Sequence, residues 1–201
     1  MKKQLIFIHG GGTFNTYEEY VVFLKGFKIE SLDYFKRNKW GTSLQDKLGQ
    51  DFEVILPVMP NKLNAKYIEW KTYFEKVLEL LDGEVILVGH SLGGIFLVKY
   101  LAENTLSRKI GGLFLVAAPF DDKNSEYFLV DFNLPNDLSN VAIQVRSIYV
   151  YSSKDDPVVP YIDMEKYQKK LPNANFVTFE NRGHFSQEDF PEIVKDIRNL
   201  K

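Results

Sequence analysis

The sequence predicts an α/β protein: a three-layer α/β/α sandwich around a mostly parallel sheet of about six strands. Short apolar runs alternate with helix-period segments along the whole chain, the pattern of strand–helix–strand units. The runs are nearly continuous in Val, Ile, Leu, Phe and Tyr rather than alternating apolar with polar, as strands covered on both faces require. At 201 residues, with 45% hydrophobic and 26% charged side chains, the chain can bury one sizeable core and is not disordered.

The elements follow in order. Leu5–Ile8 reads as the first strand and runs into His9 and three glycines. Residues 14–40 then interrupt the alternation with Phe14, Tyr17, Tyr20, Phe23, Phe27, Tyr34, Phe35 and Trp40, and read as an aromatic-rich insertion over one edge of the sheet. Glu53–Pro57 is the second strand. Tyr67, Trp70, Phe74, Val77, Leu78 and Leu81 recur at helical spacing until Asp82-Gly83 stops them. Val85–Val88 is the third strand, followed by a helix over 92–103. Leu113–Ala117 is the fourth strand, and a second insertion over 120–147 mixes acids with Phe120, Tyr127, Phe128 and Phe132. Ile148–Tyr151 and Phe176–Phe179 complete the strands, with a helix over Tyr161–Leu171 ended by Pro172-Asn173. Ser186, with Asp189 three residues on, looks like a capping box for a last helix carrying Phe190, Ile193, Val194, Ile197 and Leu200. With no repeat and no linker, residues 1–201 are expected to form one domain.

Composition excludes several classes of function. Lys and Arg number 25 against 27 Asp and Glu, a net charge of −2, so no basic footprint for nucleic acid or an anionic membrane is present. The absence of cysteine removes disulfides, a thiolate nucleophile and thiolate metal ligation, and fits a reducing compartment. The apolar run after Lys2 and Lys3 is shorter than the roughly 7–15 residues of a secretory signal. No stretch approaches the roughly 20 apolar residues that span a bilayer. A soluble, cytoplasmic protein is the expectation.

The chemistry concentrates at strand ends. Gly89-His90-Ser91-Leu92-Gly93 sits between a strand and a helix, the context of a nucleophile elbow. There a strained turn lifts the hydroxyl clear at the carboxyl edge of the sheet, beside a helix N-terminus that favours developing negative charge. A serine needs a base. Of three histidines, His90 adjoins the serine along the chain and would point away from it, and His9 ends the first strand. His184 lies in Asn181-Arg182-Gly183-His184-Phe185, on a loop at the same sheet edge as Ser91. A carboxylate should orient that histidine, and Asp155 and Asp156 both stand at the carboxyl end of the fifth strand in the chain. The residue before Pro157 is held extended, and neighbours in an extended chain face opposite ways, which favours Asp156 toward His184 with Asp155 turned away. The order serine, acid, histidine is that of α/β-hydrolases. Backbone N–H groups for an oxyanion would come from Leu92 and from Gly11 or Gly12 in the glycine turn after the first strand. That turn lacks both the dinucleotide and the Walker patterns.

These residues carry a resemblance. IHGGG (8–12), LPVMPN (56–61) with Trp70 following, VGHSLGG (88–94), SKDDPVVP (153–160) and RGHF (182–185) resemble the α/β-hydrolase-fold serine hydrolases. Within them the likeness is to the small, cap-less group similar to retinoblastoma-binding protein nine. It implies Ser91 as nucleophile, Asp156 as acid, His184 as base, no cofactor or metal, and hydrolysis of a small-molecule acyl ester. The insertion at 14–40 is longer than that group leads one to expect. Phe14, Tyr17 and Phe120 are candidates to line a substrate pocket, with ordinary packing as the competing role. Thioesterase, amidase, peptidase or perhydrolase chemistry on the same residues, or a non-catalytic protein-binding module of the same fold, are the alternatives to a carboxylesterase.

Overall fold

Six parallel strands make one sheet in the computed structural model, which describes residues 2–35, 39–123, 125 and 127–200, the Tyr34 side chain apart. They are β1 (Lys3–Ile8), β2 (Phe52–Ile55), β3 (Val85–His90), β4 (Ile110–Val116), β5 (Ile148–Ser153) and β6 (Asn175–Phe179), in the spatial order β2-β1-β3-β4-β5-β6. Every pairing is parallel, so the predicted sandwich is the observed one. β4 starts earlier than its apolar run because Ile110 pairs with Val85 across a register shift that admits the two glycines. β2 stops at Ile55, short of Pro57, which has no N–H to give a ladder.

Period-two alternation sends the two faces of each strand into separate cores. On one face, Ile6, Ile8, Leu87 and Leu115 pack beneath α3 (Tyr67–Glu79), α4 (Leu92–Glu103), α5 (Ser139–Gln144) and α6 (Ile162–Lys170). On the other, Leu5, Ile86, Val88 and Phe114 meet α2 (Leu44–Leu48) and α7 (Pro191–Arg198). Tyr67, Trp70, Phe74 and Leu78 of α3 are buried as their helical spacing predicts. α4 is buried nearly all round, because the second insertion covers its outer side through α5 and Phe132.

Chain direction across the sheet reverses after β1: β2 lies on one side of it and β3 on the other. Such a switch point leaves a crevice outside the carboxyl ends of the two diverging strands. The glycine turn after β1 and the serine turn after β3 both open into it.

The first insertion builds α1 (Tyr17–Gly26) and a 3-10 turn at Leu32–Phe35, while residues 36–38 lie outside the described residues. α1 is capped at Thr16 by a reciprocal bond pair with Glu19, yet buries none of its own residues. Phe14, Tyr20, Phe23 and Phe27 stack on one another along it instead. In the second insertion, where residues 124 and 126 lie outside the described set, an ion-pair cluster fixes the chain after β4. Lys166 lies 2.7 Å from both Asp121 and the buried Asp163, and Asp163 accepts the Phe120 N–H. One expectation fails. The last helix begins at Pro191 behind Phe190, and no capping box forms at Ser186. Proline, whose absent N–H costs nothing in the first turn, sets the start there.

Candidate active site

Ser91 leaves β3 with φ 54° and ψ −123°, in the left-handed region where a side chain is strained. Its own N–H is pinned to the Val116 carbonyl at 2.8 Å, which holds the turn against β4. The turn closes only because helix and sheet approach without side chains: a Cβ on Gly93 would collide with the Ile8 carbonyl. In the first turn of α4 the Gly94 N–H donates to the Ser91 carbonyl at 2.8 Å, while the N–H groups of Leu92 and Gly93 come too early in the helix to have a carbonyl partner within it.

The glycine turn lies against Ser91, a Cβ on Gly10 falling 3.1 Å from the serine Cβ. Of the two glycines considered for an oxyanion, Gly12 is occupied, because its N–H donates to the Lys62 carbonyl at 2.8 Å. That corrects the sequence reading and leaves Gly11. His9, unassigned by sequence reasoning, braces this turn. Its Nδ1–H donates to the Gly10 carbonyl at 2.7 Å, and its Nε2 accepts the Met59 N–H at 2.9 Å. Because the C=O of Gly10 and the N–H of Gly11 share one planar peptide, anchoring the first aims the second oppositely. Burial holds the His9 pKa below its ordinary value, in keeping with a neutral ring that both donates and accepts. The MPN run is thus the floor of the turn: Met59 bonds His9, and the Pro60 carbonyl accepts the Trp70 indole N–H at 2.8 Å.

His184 stands on the loop after β6, and its Nδ1 lies 2.9 and 3.1 Å from the two oxygens of Asp156. The Asp156 side chain is only 2% exposed, and its Oδ1 also accepts the N–H groups of Val158 and Val159. A carboxylate so anchored fixes Nδ1 as the protonated nitrogen and leaves Nε2 with its lone pair. No hydrogen bond joins Ser91 Oγ to His184 among the described residues; such contacts tighten around a substrate. Asp155 holds the same loop one residue earlier. It accepts the Gly183 N–H at 2.8 Å and the Ser153 hydroxyl at 2.5 Å, tying down the residue before the histidine. Asp121 and Asp122 serve Lys166 and the Leu129 N–H, away from this histidine.

Two further side chains grip the same loop. His90 Nε2–H donates to the His184 carbonyl at 2.9 Å, and Trp40 Nε1–H donates to the Phe185 carbonyl at 2.9 Å. Burial and the nearby His184 push the His90 pKa down to about 3, so this ring is a neutral donor. Its place beside the serine in sequence and the aromatic density around Trp40 were the only signals available, and neither shows which carbonyl is held. Among the pocket candidates, Phe14 lines a groove beside the glycine turn. Tyr17 is 69% exposed and leans on Tyr20, and Phe120 packs edge-on against Tyr167 in the core, so both are corrected to packing or surface roles.

The serine hydrolase family profile matches residues 29–193. The chain belongs to the serine hydrolase family. YdeN of Bacillus subtilis (strain 168), assigned as a hydrolase, is 23% identical over 171 residues, covering 84% of this chain and 87% of that one. The crystal structure of the B. subtilis ydeN gene product superposes with a TM-score of 0.79 at 21% identity, over 99% of this chain and 98% of that one. Est1E from Butyrivibrio proteoclasticus, solved with ferulic acid bound, shares the fold at a TM-score of 0.61 and 14% identity, over 98% of this chain and 86% of that one. This serine hydrolase is therefore a hydrolase with an α/β-hydrolase fold. No helix among the described residues is long and apolar enough to cross a membrane.

Proposed function

We propose that the protein is a carboxylesterase that works through an acyl-enzyme on Ser91. The observation that carries this reading is the pairing of a serine on a positive-φ elbow with a histidine whose Nδ1 is bound by a buried aspartate. In the proposed reaction Ser91 Oγ attacks the ester carbonyl while His184 Nε2 takes the hydroxyl proton. Asp156 stabilises the imidazolium so formed, and the N–H groups of Gly11 and Leu92 hold the oxyanion. The C–O bond to the alcohol breaks as His184 returns the proton to the leaving oxygen. Water, deprotonated by the same ring, then attacks the acyl carbon; the bond to Ser91 Oγ breaks as the ring returns that proton to Oγ, and the acid leaves. Incubation with a fluorophosphonate probe tests the reading, with p-nitrophenyl acetate turnover in parallel. Wild type should be labelled and should turn over; Ser91→Ala should do neither. Unlabelled, correctly folded wild type refutes the proposal.

A further inference from the structure

Two cavities meet at the crevice. The one at Ser91 is small, about 100 Å³, with Leu92, Pro119 and Val159 among its walls. It adjoins an open groove of about 950 Å³, and the two share Gly11, Gly12, Thr13, Tyr127 and Phe128. The groove runs along α1, where Phe14, Val22, Phe23 and Leu63 add an apolar lining. Thr13 closes its floor by donating from its hydroxyl to the Phe128 carbonyl. Among the described residues its lining contains no Lys, Arg or His, and one of the two acids there, Glu19, already accepts the N–H groups of Asn15 and Thr16.

Resting on the esterase reading above, we propose that this groove is the acyl subsite and that the substrate is an ester of an uncharged, apolar acid longer than acetate. Direction follows from the chemistry. The leaving oxygen must receive its proton from His184, so the alcohol lies on the side of the 181–187 loop. None of that loop lines the groove, which opens instead from the side of the glycine turn. The chain extending from the carbonyl carbon therefore enters it. A cavity of about 100 Å³ at the serine holds only a short stretch of that chain, whereas the adjoining volume is that of a site for a whole small molecule. Glu18 on the rim repels an acyl chain ending in a carboxylate.

The test is a chain-length series of p-nitrophenyl acetate, butyrate, valerate and octanoate, all kept below their critical micelle concentrations. Full burial of a methylene is worth about fourfold in binding, and burial against one wall about twofold, so kcat/KM should be at least about tenfold higher for octanoate than for acetate. Val22, 69% exposed on a helix with no buried residue, can take a charge without disturbing the core. Val22→Asp should cut the octanoate-to-acetate ratio by tenfold or more, and Leu63→Asp should do the same from a separate segment. Ile143→Asp, an 81% exposed site on α5, should keep the wild-type ratio. Hydrogen glutarate should be cleaved at least about tenfold more slowly than valerate. A flat series, or an octanoate preference that survives in both groove variants, overturns the subsite while fluorophosphonate labelling still upholds the esterase. Glutarate equal to valerate overturns the uncharged acid. Absence of labelling overturns the esterase reading first.

Discussion

Acidification should destabilise the fold through His90, by an amount the structure sets. The ring is neutral in the folded protein, with its pKa pushed from 6.5 down to about 3 by burial and by the neighbouring His184. Unfolding releases it to the ordinary value, so between these limits the unfolded chain binds more protons than the native one. A depressed histidine pKa therefore contributes its full stability above about pH 6.5, and that stability drains away as pH falls toward 3. Linkage with these two values gives a loss of about 2 kcal/mol at pH 5 and about 3 kcal/mol at pH 4. Against a typical total of about 5–15 kcal/mol, that is a large fraction. His90→Gln keeps an amide donor within reach of the His184 carbonyl and removes the titration. Urea unfolding followed by tryptophan fluorescence at pH 7.5, 5 and 4 should show wild type losing more stability than the variant, by these differences. His9, also depressed, titrates in both proteins and cancels. Equal pH dependence in the two would refute the assignment of His90 as a neutral buried donor.

Three other outcomes are expected. Asp156→Asn should keep the fold and lower kcat by about 10⁴, the cost of the wrong histidine tautomer in another serine triad, while Asp155→Asn should cost less than about tenfold. Gly11→Ala should lower kcat by at least about 10², because a Cβ there would fall 2.6 Å from the Lys62 carbonyl and force the proposed oxyanion donor aside; unchanged kcat would place that donor elsewhere. Trp40→Phe should lower stability by about 1–3 kcal/mol in denaturant melts, since the buried Phe185 carbonyl loses its indole donor. A loss well under 1 kcal/mol would mean that another group satisfies this carbonyl.

Much of this was legible from residues because the governing signals are local. β1 and β3 are apolar runs that lead into glycine-containing turns, and a strand–Gly-x-Ser-x-Gly–helix sequence has one steric solution, which the φ of Ser91 reports. Pro157 restricts the backbone of Asp156, but the alternation of extended residues does not separate it from Asp155, because residues 154–155 form a turn in which the Asp156 N–H donates to the Ser153 carbonyl. Legibility ended where a role depends on partners distant in sequence. Ser186 and Asp189 match a capping pattern, but Trp40 donates to Phe185 from 145 residues away, and Trp40, Phe185 and Phe190 cluster so that the chain stays in a loop until Pro191. Gly11 and Gly12 were indistinguishable until the Lys62 carbonyl was seen to take the second N–H. Tyr17, Phe14 and Phe120 carry the same aromatic label, and only their placement separates surface, groove and core.

The two sides of the candidate site are built to different tolerances, and the difference matches what each has to do. On the side of the proposed base, three successive residues are each held by a side chain from elsewhere in the fold. Asp155 takes the Gly183 N–H, His90 gives to the His184 carbonyl, and Trp40 gives to the Phe185 carbonyl. Proton transfer demands such restraint, because small misplacements of a reacting group cost orders of magnitude in rate. On the proposed acyl side, α1 has no buried residue, and its Phe23 packs between Phe14 and Phe27 from the chain on either side of it. An apolar chain is recognised by area rather than by direction, so a lightly packed wall there sacrifices little affinity and accommodates chains of several lengths. Restrained positioning of the proposed base and a lightly packed wall on the proposed acyl side fit the proposed hydrolysis of a range of related esters.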